Sequence, residues 1–205
     1  MNTLERQLAG AANAAGPAVD RLRGTLARRA QQQDLLDVAY RAVDTSVGSL
    51  LLAATPAGLI RVAYAVQDHE AVLAALAERV SPRVLLAPGK LDDAARQLDD
   101  YLTGRRRGFD LPLDLRLARG FRRSVLERLP DIGYGRTASY AEIAAAARSP
   151  RAVRAVGSAC AANPLPLILP CHRVVRGDGT PGGYVGGPEV KLRLLDLERA
   201  AGRQP

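Results

Sequence analysis

The spacing of apolar residues changes along this chain from a period of two to a period of three to four, and that change restricts the fold more than any other feature. From Ser46 the pattern is that of strands. Ile60, Val62, Tyr64 and Val66 alternate strictly, as in a half-buried strand, and Thr55-Pro56-Ala57-Gly58 reads as the turn from an earlier strand near Gly48–Ala54. Val72, Leu76 and Val80, four apart, predict a helix, and a second around Leu91–Thr103 is closed by Gly104. Leu111, Leu113, Leu115 and Leu117 alternate again. Beyond Phe121 the helical period takes over, with Phe121, Val125 and Leu129 on one stripe. An α+β amino-terminal domain with a small β-sheet is therefore expected over residues 41–118, followed by a mostly helical domain over 119–205. Residues 1–40, with Leu4, Leu8, Leu22 and Leu26 scattered among Ala, Arg and Gln31-Gln32-Gln33, read as an amino-terminal extension, helical or partly mobile.

A composition of 47% hydrophobic and 24% charged residues is that of an ordinary globular protein. No apolar run approaches the roughly 20 residues that span a bilayer. The first residues lack the charged-then-apolar layout of a secretory signal, so the cytoplasm is the expected compartment. The net charge of +8 suits a polyanion such as nucleic acid. All but two of the 29 basic residues are arginine in an alanine-rich chain, however, which genome composition alone produces. Arg105-Arg106-Arg107 reads either as a stripe facing DNA or as a solvated loop, its charge diluted by Asp110 and Asp114. Cys160, Cys171, His69 and His172 are dispersed with no C-x-x-C pair, so neither a metal site nor a disulfide framework is expected, and nothing points to a cofactor.

Ser139-Tyr140-Ala141-Glu142 is a capping box that opens a helix running to about Ala147. Ser149-Pro150 then reads as the cap and first residue of a second helix, ended by Pro164. Two short helices with a tight join make a helix-turn-helix. At 100° per residue, Val153, Val156 and Cys160 share a narrow inward arc of the second helix, with Arg151, Arg154, Ala155, Ser158 and Ala162 opposite. Small side chains let a helix approach a nucleic-acid groove, and arginines supply phosphate contacts or an inserted group. An alanine-rich surface helix is the alternative.

Cys160, on the inner arc, reads as a small buried hydrophobe. Cys171 is placed differently: it follows the apolar run Leu165–Leu169, read as a buried strand, is flanked by Pro170 and His172, and precedes the glycine-rich stretch Gly177–Gly187. The thiolate is the nucleophile, and an adjacent base or cation generates it. The last helix, opened by Gly187-Pro188, carries Val190, Leu194 and Leu195 on its apolar arc, and Glu198 falls between the last two. An acid in an apolar stripe needs a partner or loses its charge. His172 is the only histidine in this half, which points to a Cys–His–Glu relay. Lys191, on the same stripe, is a rival partner two turns away along the helix.

Pro170-Cys171-His172-Arg173-Val174-Val175 resembles the active-site signature of the O-6-alkylguanine-DNA alkyltransferases. Ser139-Tyr140, Arg154-Ala155-Val156-Gly157, Asn163-Pro164, Gly183-Tyr184 and Leu194-Leu195 with Glu198 fall in family order and spacing. The resemblance is strong over residues 121–200. It is weaker over 44–120, where Tyr101-Leu102-Thr103-Gly104 and Phe109-Asp110-Leu111-Pro112 look like the family's amino-terminal domain, and it is absent from 1–40.

This resemblance implies a ribonuclease-H-like sheet domain followed by a winged helix-turn-helix-like unit. It also implies direct-reversal repair: Cys171 takes, once and irreversibly, a methyl or other alkyl group from O-6-alkylguanine, and by extension O-4-alkylthymine, in double-stranded DNA after the base is flipped. His172, oriented by Glu198, would activate Cys171 through a water, and Asn163 would brace the turn that holds it. Arg154 would fill the gap left in the base stack. Tyr140 would donate to the departing guanine. Tyr184, Val174 and the Val185-Gly186 backbone would line the base pocket, while Arg151, Ala155 and Ser158, with Tyr140, meet the DNA. A monomer able to cluster on DNA is implied, with no cofactor and no metal. Phe121-Arg122 and Val125-Leu126 stand where the family commonly has Phe-Gln and Val-Trp, and the zinc ligands near the amino terminus of some members have no counterpart. Two readings compete. Cys171 itself speaks against a relative that only binds DNA, and the adjacency of His172 against a cysteine hydrolase.

Overall fold

The computed structural model describes residues 35–201 together with Leu22, Gly24, Thr25 and Arg29, these four helical. Most of the extension expected over residues 1–40 lies outside the described residues. β1 (Val38–Thr45), β2 (Gly48–Thr55) and β3 (Gly58–Tyr64) form an antiparallel meander, and β4 (Val84–Leu86) joins the other side of β1 in parallel, giving the order β3-β2-β1-β4. The first strand starts at Val38, so residues 38–40 belong to the sheet and not to the extension. Alanines at 39 and 42 and its partial burial beyond Ala39 blur its alternation.

β3 departs from strict alternation. Ala53 pairs with Arg61 and Ala54 with Leu59, so Ile60 is an extra residue and the strand carries a bulge. Ile60 and Arg61 therefore turn to the same face. Ile60 and Ala63 join one core cluster, while Leu59, Val62 and Tyr64 join the other. Val66 lies beyond the strand and is exposed.

Leu111–Leu117 is not a strand either. Its only ladder contact is the bridge from Leu113 to Leu59, held by Leu59 N–H to the Pro112 carbonyl at 2.8 Å and Asp114 N–H to the Leu59 carbonyl at 2.9 Å. The segment crosses the edge of β3, a position that covers unpaired backbone groups. Its leucines pack on both core clusters, which accounts for their spacing.

α1 (His69–Arg79) is capped by Asp68, whose carboxylate accepts from the Glu70 and Ala71 N–H groups, and it covers one face of the sheet with Val72 and Leu76. The other face shares one core with α2 (Asp92–Leu102) and the helical half. That half contains α3 (Gly120–Leu126), α4 (Tyr140–Ala146), α5 (Val153–Ala161) and α6 (Pro188–Ala201), with a two-residue parallel pair of β5 (Ala138–Ser139) and β6 (Val174–Val175). The Ser139–Glu142 capping box opens α4 as the sequence predicts.

Two local expectations are corrected here. Ser149-Pro150 does not start the second helix. Ala152 N–H bonds the Ser149 carbonyl at 2.8 Å, a turn that proline's fixed φ suits, and α5 begins at Val153. Val153 is then 37% exposed, and the inward face is Val156, Ala159 and Cys160. The run Leu165–Leu169 is buried as expected but is folded into turns, with Leu167 at φ 74° and Leu169 N–H on the Leu165 carbonyl at 2.8 Å.

Gly58 sits at φ 137° where β3 meets the crossing segment, and a Cβ there would lie 2.2 Å from the Pro112 carbonyl oxygen. Gly58→Ala is expected to cost about 3 kcal/mol of stability, through backbone strain and loss of that crossing. The shift in urea midpoint measures it, and an unchanged midpoint would show that the crossing moves freely.

Candidate active site

Cys171 begins a 3₁₀ turn, Cys171–Arg173, directly after the folded apolar run, and its side chain is buried. Asn163 holds that arrangement. Its Nδ2 donates to the Leu169 carbonyl at 2.8 Å and to Cys171 Sγ at 3.2 Å, while its Oδ1 accepts from Leu165 N–H at 2.9 Å. Burial pushes the Cys171 thiol up to about 11, against the Asn163 hydrogen bond and the Lys191 charge, which favour the thiolate. The resting group is therefore a thiol that needs a base.

The next residue, His172, is fully buried. Its Nε2 lies 2.7 Å from Glu198 Oε1. Burial lowers the imidazole below its ordinary value in spite of Glu198, so the ring is neutral and Nε2–H donates to the carboxylate. That tautomer leaves the lone pair on Nδ1, a buried nitrogen with no hydrogen-bond partner among the described residues. Glu198 also accepts from Arg173 Nε at 2.9 Å, from Gly135 N–H at 2.8 Å and from the Tyr101 hydroxyl. Arg173 is fixed in turn by the Ile132 carbonyl at 2.6 Å. Burial alone would raise the Glu198 carboxyl, but the hydrogen bonds of His172 and Tyr101 and the charge of Arg173 hold it below its ordinary value. Lys191 is not its partner: Nζ donates to the Val174 carbonyl at 2.6 Å and reaches the Gly183 carbonyl at 3.4 Å, tying the glycine-rich stretch to β6.

The thiol opens on a cavity of about 440 Å³ lined by Tyr140, Gly157, Cys160, Cys171, Tyr184 and Val185, among others. That size lies within the range of small-molecule sites. Cys160 is both buried and part of this wall, its thiol pushed up to about 12 by burial. Burial likewise raises Tyr140, which keeps its hydroxyl protonated as a donor. Val174, expected in the lining, instead sits in the core with its carbonyl on Lys191. Gly186, also expected there, packs on the Tyr64 ring, where a Cβ would meet ring carbons at 2.9 Å. Tyr64 itself reaches across from β3 to Tyr184, hydroxyl to hydroxyl at 2.9 Å.

The amino-terminal domain therefore supplies Tyr64 and Tyr101 to a site that the sequence places wholly in the helical half. Sequence reasoning missed both tyrosines and the role of Arg173. Only Arg173 carried a local signal, as a charge inside a buried run.

On the outer side of the cavity, Arg154, Ala155 and Ser158 form an exposed strip of α5, and Arg151 stands exposed in the turn before it, not on the helix. Arg105 is engaged by Asp99 and Asp100, and Arg107 lies over the Tyr134 ring, as befits the loop reading of that run. Among the described residues no group of three or more His, Cys, Asp or Glu is placed to hold a metal ion, and no helix is long and apolar enough to cross a membrane.

A carboxyl held below its ordinary value stabilises the fold fully above the unfolded value of 4.5, and that contribution fades as pH falls toward about 2. Glu198→Gln is expected to cost about 3 kcal/mol at neutral pH by leaving Arg173 without its counter-charge. The deficit should shrink below pH 4.5 in denaturant titrations. A deficit of equal size at neutral and acid pH would mean that Glu198 is not ionised in the fold.

Comparison with known proteins places this geometry. The 6-O-methylguanine DNA methyltransferase family matches in two parts, its ribonuclease-like domain over residues 38–115 and its DNA binding domain over residues 120–200. A methylated-DNA–protein-cysteine methyltransferase of Mycolicibacterium paratuberculosis is 39% identical over 162 residues, covering 79% of this chain and 93% of that one. The bifunctional transcriptional activator/DNA repair enzyme Ada of Escherichia coli is 40% identical over 165 residues, and the match spans about half of that longer protein, 46%. The crystal structure of the Mycobacterium tuberculosis O6-methylguanine methyltransferase superposes with a TM-score of 0.71 at 38% identity, covering 82% of this chain and 95% of that one. A second, of Mycobacterium tuberculosis OGT in complex with DNA, gives 0.69 at 36% identity over 80% of this chain and 94% of that one. Both halves of the chain, and the order in which they occur, thus belong to the 6-O-methylguanine DNA methyltransferase family.

Proposed function

We propose that this protein repairs DNA by direct reversal, moving the alkyl group of O-6-alkylguanine onto Cys171 in a single irreversible event. The observation that carries this reading is a buried thiol at the wall of a base-sized cavity, backed by Asn163 and by a histidine whose tautomer Glu198 fixes. The Nδ1 lone pair of His172 takes the thiol proton through a bridging water, and the sulfur attacks the alkyl carbon as its bond to the guanine oxygen breaks. Tyr140 donates to the departing guanine as charge develops. The product is a thioether with no leaving route, so each molecule acts once.

Arg154 and the small residues of α5 hold the duplex, with Arg154 in the gap left by the extruded base. Arg151, Ala155 and Ser158 contact the backbone, and Tyr184 and Val185 shape the pocket. We place the protein in the cytoplasm as a monomer, able to cluster on DNA and acting also on O-4-alkylthymine.

Intact mass after incubation with an oligonucleotide containing methylguanine should show one added methyl per chain, mapping to the peptide that holds Cys171. Repeated turnover, or a methyl on Cys160, would overturn the assignment. Cys171→Ser should bind the same DNA and transfer nothing.

Arg154→Ala separates holding DNA from extruding the base. Repair of a duplex should slow by more than binding weakens, roughly tenfold or more, whereas reaction with free benzylguanine, which needs no flipping, should hardly change. Equal losses on both substrates would assign Arg154 to the fold or the pocket instead.

A further inference from the structure

Several arginines outside the active site are held in ion pairs, and some of those that are not gather in one place. Arg41, Arg83, Arg96 and Arg123 are each tied to a carboxylate. Arg61, Arg79, Arg119 and Arg122 have no carboxylate partner among the described residues, and they lie together. The bulge in β3 turns Arg61 to the α1 side of the sheet, against a cavity of about 220 Å³ that Gln67 and Arg79 also line. Arg61 Nε is buried there and makes no hydrogen bond. Burial, and the charge of Arg79 nearby, lower the Arg61 guanidinium below its ordinary value. Gln67 spends its Oε1 on Tyr64 N–H at 3.1 Å, which leaves its amide Nε2 to donate. Across Arg79 and Leu117, which line both hollows, a second depression of about 410 Å³ adds Arg116, Arg119 and Arg122. Asp114, the carboxylate that serves this region, is taken up by Arg116 and the Thr55 hydroxyl.

Arg61 is half-buried with no counter-charge, which is unfavourable, and the exposed guanidiniums gathered beside it add like-charge repulsion unless an anion joins them. Guanidinium forks match phosphate oxygens two at a time, and unpaired arginines strung along two adjoining hollows fit a ligand with repeated charges better than one small anion. The cleft borders the core cluster under α1, whereas Tyr64 and the thiol cavity belong to the opposite face of the sheet. We propose that this arginine cleft is a second nucleic-acid contact, which grips the phosphodiester backbone of a DNA segment other than the one read by α5. The proposal rests on the repair reading for the identity of the polyanion, and on the cleft itself for the anion.

The test is the salt dependence of duplex binding, followed by fluorescence anisotropy on a duplex long enough to reach both surfaces. Arg79, Arg119 and Arg122 are exposed, so their joint replacement by alanine leaves the core intact. This triple variant should bind roughly tenfold more weakly at low salt, and its slope of log affinity against log salt should fall by about 2 to 3. Reaction with free benzylguanine should be unchanged, which separates failure of the cleft from failure of the repair reading. A control triple, Arg96, Arg123 and Arg128 to alanine, removes the same charge from ion-paired sites and should leave the slope nearly as it was. Equal slopes in the wild type and the cleft variant would overturn the proposal. Inorganic pyrophosphate titrated against the wild type and Arg61→Met gives the other arm. Pyrophosphate binding lost in Arg61→Met, together with an unchanged duplex slope, would make the ligand a free phosphate compound and overturn the nucleic-acid assignment.

Discussion

Glu198 accepts hydrogen bonds from groups far apart in the chain: the Tyr101 hydroxyl on α2, the Gly135 amide, and the side chains of His172 and Arg173 in the turn that begins at Cys171. A buried carboxylate is tolerated only when its lone pairs are filled in this way, and each donor is fixed by the same acceptor. The ionised acid orients the imidazole, leaving the free lone pair on Nδ1. Arg173 balances the charge and is itself fixed by the Ile132 carbonyl. The interaction that orients the imidazole thus also joins α6 to the rest of the helical half.

The edge of β3 plays the matching part for the backbone. Along it, Leu59 meets the crossing segment at Pro112, and Val62 N–H donates to the Pro164 carbonyl at 2.9 Å, one residue beyond Asn163. The sheet is thus continued by backbone from the active-site region. Tyr64, at the end of the same strand, reaches Tyr184 and supports Gly186. The strand that would otherwise be an open edge sets the height of the pocket wall.

Local features of this architecture were legible in the sequence. The Ser139–Glu142 capping box works within one turn of chain, and the position of Glu198 between Leu194 and Leu195 follows from helical geometry alone. Cys171 and His172 stood out by their setting in the chain and Asn163 by the family resemblance, and the structure brings them together. Features that depend on partners elsewhere were not legible. Tyr101 looks like any core aromatic on an amphipathic helix until Glu198 lies against it. The run Leu165–Leu169 announces burial but not conformation, because an apolar stretch is compatible with strand, helix or packed turns. The bulge at Ile60 left no composition signal, since Ile60 and Val62 are apolar on whichever face they lie.

The hydroxyls of Tyr64 and Tyr101 also bear on how such a protein can be recombined. The two family matches, over residues 38–115 and 120–200, divide the chain, but the hydrogen bonds around Glu198 and Tyr184 cross from one to the other. A chimera that joined this helical half to a foreign sheet domain would keep Cys171, His172 and Glu198, yet it would lose one hydrogen bond to Glu198 and the brace on Tyr184. Exchange at that junction preserves these contacts only between sheet domains that present a hydroxyl at the end of the third strand and another on the helix facing the acid. The modular unit of this fold is the pair of domains.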